Sequence, residues 1–429
     1  MPAPRRYLAA VLLTTALAVG AVVAANAIVD PFGTTRLVVR EGVNARKPAI
    51  HQRVRLAKAY DLRRLAPRAI ALGTSRSHVG LRMTHPGWRI APRHNVSFDG
   101  ATTHELFAYL VHAQAVRPLA QVVLGLDTWH LADFPSPVRP SFDPALLRDG
   151  GALDGARLLA ADLRLLASVD TLSASLDTLR GQDVDEPEWL GPDGQRHGEL
   201  FFRRPGEMFH DVSPRAYFEA NDREEIGWRA PPPRTAAAAA PPAAPAPPDE
   251  TSLEYVRRIV DFCRAHDVDL RIFVTPAHAR QLEIASAAGE WDRIEAGKRA
   301  LVAFLAADAA RHPGRAPVPL WDFGAYSSVT TEPLPPPGDR REMRWYWDSS
   351  HFKEVVGDWV LDRVLGVAAP DAGPPPADFG VRLEPGNVEE AIAAIRAARE
   401  AYRRRNADEV GALHVTVARL LDPGGDARR

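Results

Sequence analysis

The residues in this sequence best suited to chemistry are Asp348, Ser349, Ser350 and His351. They follow an aromatic, strand-like run, Trp345-Tyr346-Trp347, and open a helical pattern from Phe352 to Leu365. An Asp three residues before a His can accept the proton on one ring nitrogen, fix the tautomer and leave the other nitrogen free as a base. Taken alone, the spacing reads first as a helix start with Asp at its cap. Such a base needs a nucleophile. The candidate is Ser75 in Leu72-Gly73-Thr74-Ser75-Arg76-Ser77, directly after a short apolar run. Ser75 by itself reads as a helix cap, and Ser77 competes with it from further along the chain. Arg76 reads as a surface charge or salt bridge, or as a clamp for an anionic substrate.

These residues must be positioned by a scaffold, and the chain has ample length for one. Its 429 residues suit one large domain with insertions or two domains. The formal net charge of -1 offers no basic field for nucleic acid. The single cysteine, Cys263, lies on the apolar side of a predicted helix, so no disulfide framework or Cys-rich zinc site can form. No His or carboxylate pair has convincing metal-ligand spacing, and no cofactor is expected.

Arg5 and Arg6 precede an uncharged apolar run from Leu8 to Val29, long enough to span a bilayer. Basic residues before the run place the N-terminus in the cytoplasm. Ala25-Asn26-Ala27 resembles a signal cleavage site, but the run exceeds a usual signal core, so the reading is an uncleaved anchor. Residues 30–66 form an extended lead-in and a helix over Arg53 to Leu65. Ala69 to Leu72, Val96 to Phe98, Val122 to Leu126, Leu270 to Val274 and Val318 to Trp321 read as buried strands. Helical patterns alternate with them, from Thr102 or Thr103, from Thr251 to about His266, and from Trp291 to His312. That rhythm predicts a parallel α/β sheet. Residues 135–229 interrupt it, with amphipathic helices between Leu153 and Leu179. Residues 230–248, almost only Ala and Pro, read as a linker. Residues 371–429 form a C-terminal helical extension, with a helix from Asn387 to about Arg405.

In an open parallel sheet, chemistry gathers beyond the carboxyl ends of the strands. Ser75, Gly100, Asp127 and His278 each follow a strand, and Asp348 and His351 precede a late helix. Gly73-Thr74-Ser75, Gly100, Gly125-Leu126-Asp127 and Asp348-Ser349-Ser350-His351, in that order, resemble the sequence blocks of the SGNH or GDSL hydrolase superfamily. The arrangement is similar to membrane-anchored SGNH-like proteins of bacterial envelopes, such as the alginate acetylation and D-alanylation proteins. The resemblance covers about two thirds of the chain, 67–134 and 249–370. It implies a three-layer α/β/α, flavodoxin-like domain facing the periplasm from the inner membrane. It implies Ser75 as nucleophile, His351 as base and Asp348 as its partner, with backbone N–H groups of Ser75 and Gly100 at the oxyanion. Arg76 and His278 are further candidates for substrate contact, His278 reading first as a structural His at a helix start. Thr74 replaces the family's usual Asp. Asp127 stands where the family carries an Asn donor, and its expected role is structural, accepting N–H bonds at Thr128 and Trp129.

The implied activity is an acyl esterase or O-acyltransferase on a cell-envelope glycan, through an acyl-serine intermediate. The alternative is a catalytically inactive binding or assembly protein with the same fold. His78, His104 and His130 are expected at the surface or in caps, and Trp345 to Trp347 in packing. If residues 230–248 are a linker, shortening them leaves the thermal midpoint nearly unchanged, because each halving of loop length alters closure by only about 0.6 kcal/mol. A large fall in a melting curve would show that they pack on the fold.

Overall fold

The computed structural model describes residues 3–183, 190–203, 208–229 and 250–422, so the Ala/Pro stretch 230–248 and the extreme C-terminus lie outside it. In chain order the helices begin with α1 (Ala3–Val29), α2 (Val54–Leu65), α3 (Ser75–Gly80), α4 (Thr103–Val116), α5 (Asp154–Leu166) and α6 (Val169–Arg180). They continue with α7 (Gly198–Phe202), α8 (Met208–Asp211), α9 (Pro214–Gly227), α10 (Ser252–Ala265) and α11 (Ala279–Ala287). The last four are α12 (Trp291–Arg311), α13 (Glu354–Leu365), α14 (Val388–Arg405) and α15 (Ala407–Leu421). The strands are β1 (Ala69–Leu72), β2 (Arg93–Asn95), β3 (Gln121–Leu126), β4 (Asp269–Val274), β5 (Leu320–Asp322) and β6 (Val381–Arg382).

The chain divides into two compact units. The first contains residues 1–66, 108–118 and 140–190, and the second contains 67–107, 119–139 and 191–429. The stretch 135–229, read from sequence as one insertion, contributes to both.

In the first unit, α1 carries a segment of mean hydropathy 2.4, Pro4–Val29, long and apolar enough to cross a membrane. α2 is tied to α5 by Asp162, which accepts from Tyr60 Oη at 2.5 Å and from both terminal nitrogens of Arg63 at 3.1 and 3.0 Å. The helices between Leu153 and Leu179 form as expected, but most of their leucines are not core. α5 buries Leu158 and Ala161 and exposes Leu159 and Leu163. α6 buries Thr171, Ser175 and Thr178 and exposes Val169, Leu176 and Leu179.

The second unit is built on a six-stranded sheet of order β2-β1-β3-β4-β5-β6, parallel except for the β5–β6 pair. Side chains alternate between the faces of a strand. Ala69, Ala71, Val123 and Phe273 share a buried cluster with Val360, Leu361 and Val364 of α13. Ile70, Leu72, Val122, Leu124, Ile272 and Val274 point to the other face and are equally buried. Both faces are therefore covered, which is why these strands read as continuous apolar runs. The chain leaves β1 toward β2 on one side and toward β3 on the other, so a crevice opens beyond the ends of β1 and β3.

Some boundaries differ from the sequence expectation. The second strand is Arg93–Asn95, although Val96 and Phe98 still donate to Ala71 O and Gly73 O at 2.8 and 3.2 Å. β5 starts two residues late, at Leu320, β6 is only two residues long, and the C-terminal extension contains a second helix, α15, that buries Val410, Leu413 and Val417 at helical spacing. Trp345-Tyr346-Trp347 is not a strand. Trp347 N donates to His351 O at 2.9 Å and Lys353 N to Trp345 O at 2.8 Å, closing Asp348 to His351 into a tight hairpin tip.

The helix that starts at Ser75 and the helix that follows His351 cross backbone to backbone. A methyl on Gly357 would overlap the Gly80 carbonyl, and one on Gly80 would overlap the Phe352 ring. Gly357→Ala is expected to destabilise the fold by about 1–3 kcal/mol, the usual range for overpacking, and to separate Ser75 from His351. Urea unfolding and the serine-probe reaction described below measure the two effects. Unchanged values in both would refute the close crossing.

Candidate active site

β1 ends at Leu72 and the chain turns at Gly73. Thr74 caps α3, its Oγ1 accepting from Arg76 N at 3.3 Å, so Ser75 is the first helical residue. A first-turn residue has a backbone N–H without an intrahelical acceptor. Ser75 Oγ lies 2.8 Å from His351 Nε2. His351 Nδ1 lies 2.8 and 3.0 Å from the two carboxylate oxygens of Asp348. An ionised carboxylate only accepts, so Nδ1 carries the proton and Nε2 receives the Ser75 hydroxyl hydrogen.

The hairpin tip holds the carboxylate in place. Asp348 Oδ1 also accepts the backbone N–H groups of Ser350 and His351 at 2.7 and 2.8 Å. Burial pushes the His351 pKa down, but the adjacent Asp348 charge and hydrogen bond outweigh it and hold the imidazole above its ordinary 6.5. Asp348 is not the helix cap its spacing suggests: α13 begins at Glu354 with Lys353 at its cap, and the carboxylate instead serves the amides of the hairpin tip and the imidazole together.

Ser77 is no rival nucleophile. It is fully buried, and a methyl at Gly73 or Gly125 would overlap its Oγ. Those glycines allow α3 to sit tightly on the ends of β1 and β3.

Arg76 is not a surface charge. It is buried, with Nε donating to Ser350 O at 3.1 Å, Nη2 to Ser350 Oγ at 3.0 Å, and Nη1 3.1 Å from Asp127 Oδ1. Asp127 also accepts the Thr275 hydroxyl at 2.7 Å, the Thr74 hydroxyl at 2.9 Å and the Trp129 indole N–H at 3.2 Å. These partners are chiefly side chains, where the sequence expectation was the N–H groups of Thr128 and Trp129. Burial raises the Asp127 pKa, and Arg76, His130 and the two threonine hydroxyls more than reverse that, leaving it below the usual carboxylate range. The paired guanidinium offsets the negative charge that would oppose an oxyanion nearby.

Ser75, His351, Gly100, Asp127 and Arg76 line one cavity of about 600 Å³. Gly100 has a φ of +57°, the left-handed region that glycine adopts without strain. His278 does not line this cavity. It caps α11, its Nδ1 accepting from Arg280 N at 3.3 Å and its Nε2 donating to Glu332 O at 2.9 Å. Burial lowers its pKa to about 4, so it stays neutral. His130 serves a cap, as one of its two expected roles, but a buried one: it accepts from Asp127 N at 3.2 Å at the start of the short turn Thr128–His130 and donates to Ala101 O at 3.0 Å.

Much of the remaining wall comes from residues that sequence reasoning left unassigned. Phe201, Phe202, Tyr217, Asn221, Glu225 and Trp228 all border the cavity. Glu225 accepts from Ser350 Oγ at 2.6 Å, and Asn221 accepts from Ser349 Oγ at 2.8 Å. No spacing in 191–229 announces this, because each residue meets the hairpin tip through the tertiary fold. Among the described residues, no group of three or more His, Cys, Asp or Glu is placed to hold a metal ion.

The sequence matches no protein-family model and no curated protein.

Asp127→Asn leaves a buried guanidinium without its closest anion. The expected loss is on the order of 3–5 kcal/mol of stability, the cost of breaking a buried pair, with no gain in ester turnover. Chemical denaturation with a p-nitrophenyl acetate assay measures both, and a many-fold rise in turnover at unchanged stability would overturn the structural role.

Proposed function

We propose that this chain is a membrane-anchored serine acyl esterase or O-acyltransferase of the SGNH type. The observation that carries the reading is the continuous hydrogen-bond chain from Ser75 Oγ through His351 to Asp348, opening on a cavity. The strand order β2-β1-β3-β4-β5 supports a doubly wound, flavodoxin-like domain, with α/β/α layers and residues 135–229 as an insertion into it. Basic Arg5 and Arg6 before the apolar helix support a cytoplasmic N-terminus and a periplasmic domain.

In the proposed reaction, Ser75 Oγ attacks the acyl carbonyl carbon while His351 Nε2 takes its proton. The backbone N–H groups of Ser75 and Gly100 serve the developing oxyanion. The imidazolium, stabilised by Asp348, returns the proton to the leaving oxygen, and an acyl-serine remains. Water, or a hydroxyl of an envelope glycan, then attacks that ester while its proton passes to His351, and the imidazolium returns that proton to Ser75 Oγ as the acyl–oxygen bond breaks, freeing the alcohol.

One observation favours a second reading, a binding or assembly protein that keeps the fold. Asp127 occupies the position of the family's amide donor and is committed to Arg76, so the site has one oxyanion donor fewer.

A fluorophosphonate probe distinguishes the two. The wild-type chain is expected to label covalently, and Ser75→Ala and His351→Ala to lose labelling. Failure of the folded wild type to react would sink the enzymatic reading. The base acts only when His351 is neutral, so kcat/KM should fall about tenfold per pH unit below a pKa that lies above 6.5. Asp348→Asn should lower kcat on the order of 10⁴-fold. A pH profile flat down to pH 5 would exclude His351 as the base.

A further inference from the structure

α5 and α6 are inverted relative to ordinary surface helices, which bury their apolar stripe. On α5, Gly155, Ala156, Leu159, Ala160 and Leu163 are all exposed and form one uncharged face. On α6, the face bearing Val169, Leu176 and Leu179 is exposed, while the hydroxyl side chains Thr171, Ser175 and Thr178 are buried. The charged Asp170 and Asp177 lie on a third side of α6, while Arg180, in the last turn, falls beside the apolar face with its guanidinium 3.6 Å from Asp177. A helix that turns its hydroxyls inward and its leucines outward is ordered for an apolar surrounding.

The same unit shows where that surrounding comes from. Asn26, near the end of α1, is fully buried. It donates to Leu166 O at 2.8 Å and Ser168 O at 3.3 Å, and accepts from Ser175 Oγ at 2.9 Å. The turn between α5 and α6 is therefore clamped to α1. The last carbonyls of α1 are also served by protein groups. Thr35 Oγ1 donates to Ala27 O at 3.3 Å, Asn44 Nδ2 to Ile28 O at 2.8 Å and Lys47 Nζ to Val29 O at 3.0 Å. The loop that provides these donors exposes Leu37, Val38 and Val39. Counting about 20 residues of helix for a hydrocarbon core, a span that begins at Leu8 ends near Ala27, level with Asn26. Everything clamped to Asn26 then lies at the outer edge of the bilayer.

The geometry points to a membrane-interface surface on the first unit: the leucine faces of α5 and α6, with Leu37 to Val39, sit in the outer leaflet of the bilayer that α1 crosses. The occupant is lipid, because the surface is covalently and sterically continuous with the anchor, carries no charge on its α5 face, and needs no partner to satisfy Asn26. The unit is thus a monotopic foot as well as a single-span anchor, in the manner of interfacial amphipathic helices. This inference rests on the reading of α1 as a membrane span.

The test uses the full chain in phosphatidylethanolamine–phosphatidylglycerol vesicles, in a Cys263→Ala background. Single cysteines at Leu163→Cys, Leu176→Cys, Asp177→Cys and Leu12→Cys carry an environment-sensitive nitrobenzoxadiazole label. Lipids with a shallow nitroxide should quench the labels at 163 and 176 at least twofold more than the label at 177, and aqueous iodide should show the reverse order. Iodide access at 163 and 176 equal to that at 177, with the label at 12 still quenched by deep nitroxide lipid, overturns the interface while the anchor stands. Shielding at 163 and 176 from both quenchers means a protein covers the face, a second copy included, and also overturns the inference. Iodide access at 12 overturns the anchor and the inference with it.

Discussion

One buried cation holds the catalytic-looking residues together. Arg76 follows Ser75 directly, and its guanidinium reaches the carbonyl and hydroxyl of Ser350, one residue before His351. The same guanidinium pairs with Asp127 at the end of β3. Three chain segments far apart in sequence are thus fixed to one planar group with donors in set directions. A buried guanidinium is tolerable only with its charge and N–H groups matched, so this site leaves Asp127 little freedom to be anything else. Asp127 is best understood as the counter-ion of Arg76.

Two steric features complete the positioning. The hairpin tip Asp348 to His351 is closed by backbone hydrogen bonds on both arms, and it directs one carboxylate at two amides and an imidazole. Gly80 and Gly357 let the helix led by Ser75 lie against the helix that follows His351. The hairpin tip borders the cavity and the glycine crossing lies outside it, yet both set the distance between Ser75 Oγ and His351 Nε2. Preorganisation of this kind is what a nucleophile–base pair needs, because a displacement of about 1 Å is enough to impair attack strongly.

The first unit follows a different logic. At the end of α1 the polar Asn26, Asp30 and Asn44 are buried and hydrogen-bonded, while Leu159, Leu163, Leu176 and Leu179 of α5 and α6 face outward. In water this would be an unfavourable arrangement. Beside a membrane it is the favourable one, since the polar groups at the end of α1 are satisfied internally and the apolar groups meet lipid.

The sequence by itself determined the parallel α/β sheet, because Ala69 to Leu72, Val122 to Leu126 and Leu270 to Val274 are short apolar runs whose burial is a local property of composition. It also determined the long apolar N-terminal helix, and it singled out Ser75, Asp348 and His351, since chemistry restricts which side chains can form such a chain of hydrogen bonds. Tertiary structure decided the rest. Ser77 lies as near Ser75 in sequence as a rival can, and only the packing of Gly73 and Gly125 buries it. The pairing of Arg76 with Asp127, the loss of His278 from the site and the walls donated by 191–229 all depend on contacts between distant residues, which no local spacing encodes. The leucine pattern of α5 and α6 showed that each helix has an apolar face. Periodicity cannot say whether that face meets a protein core or a membrane, because both are apolar surroundings.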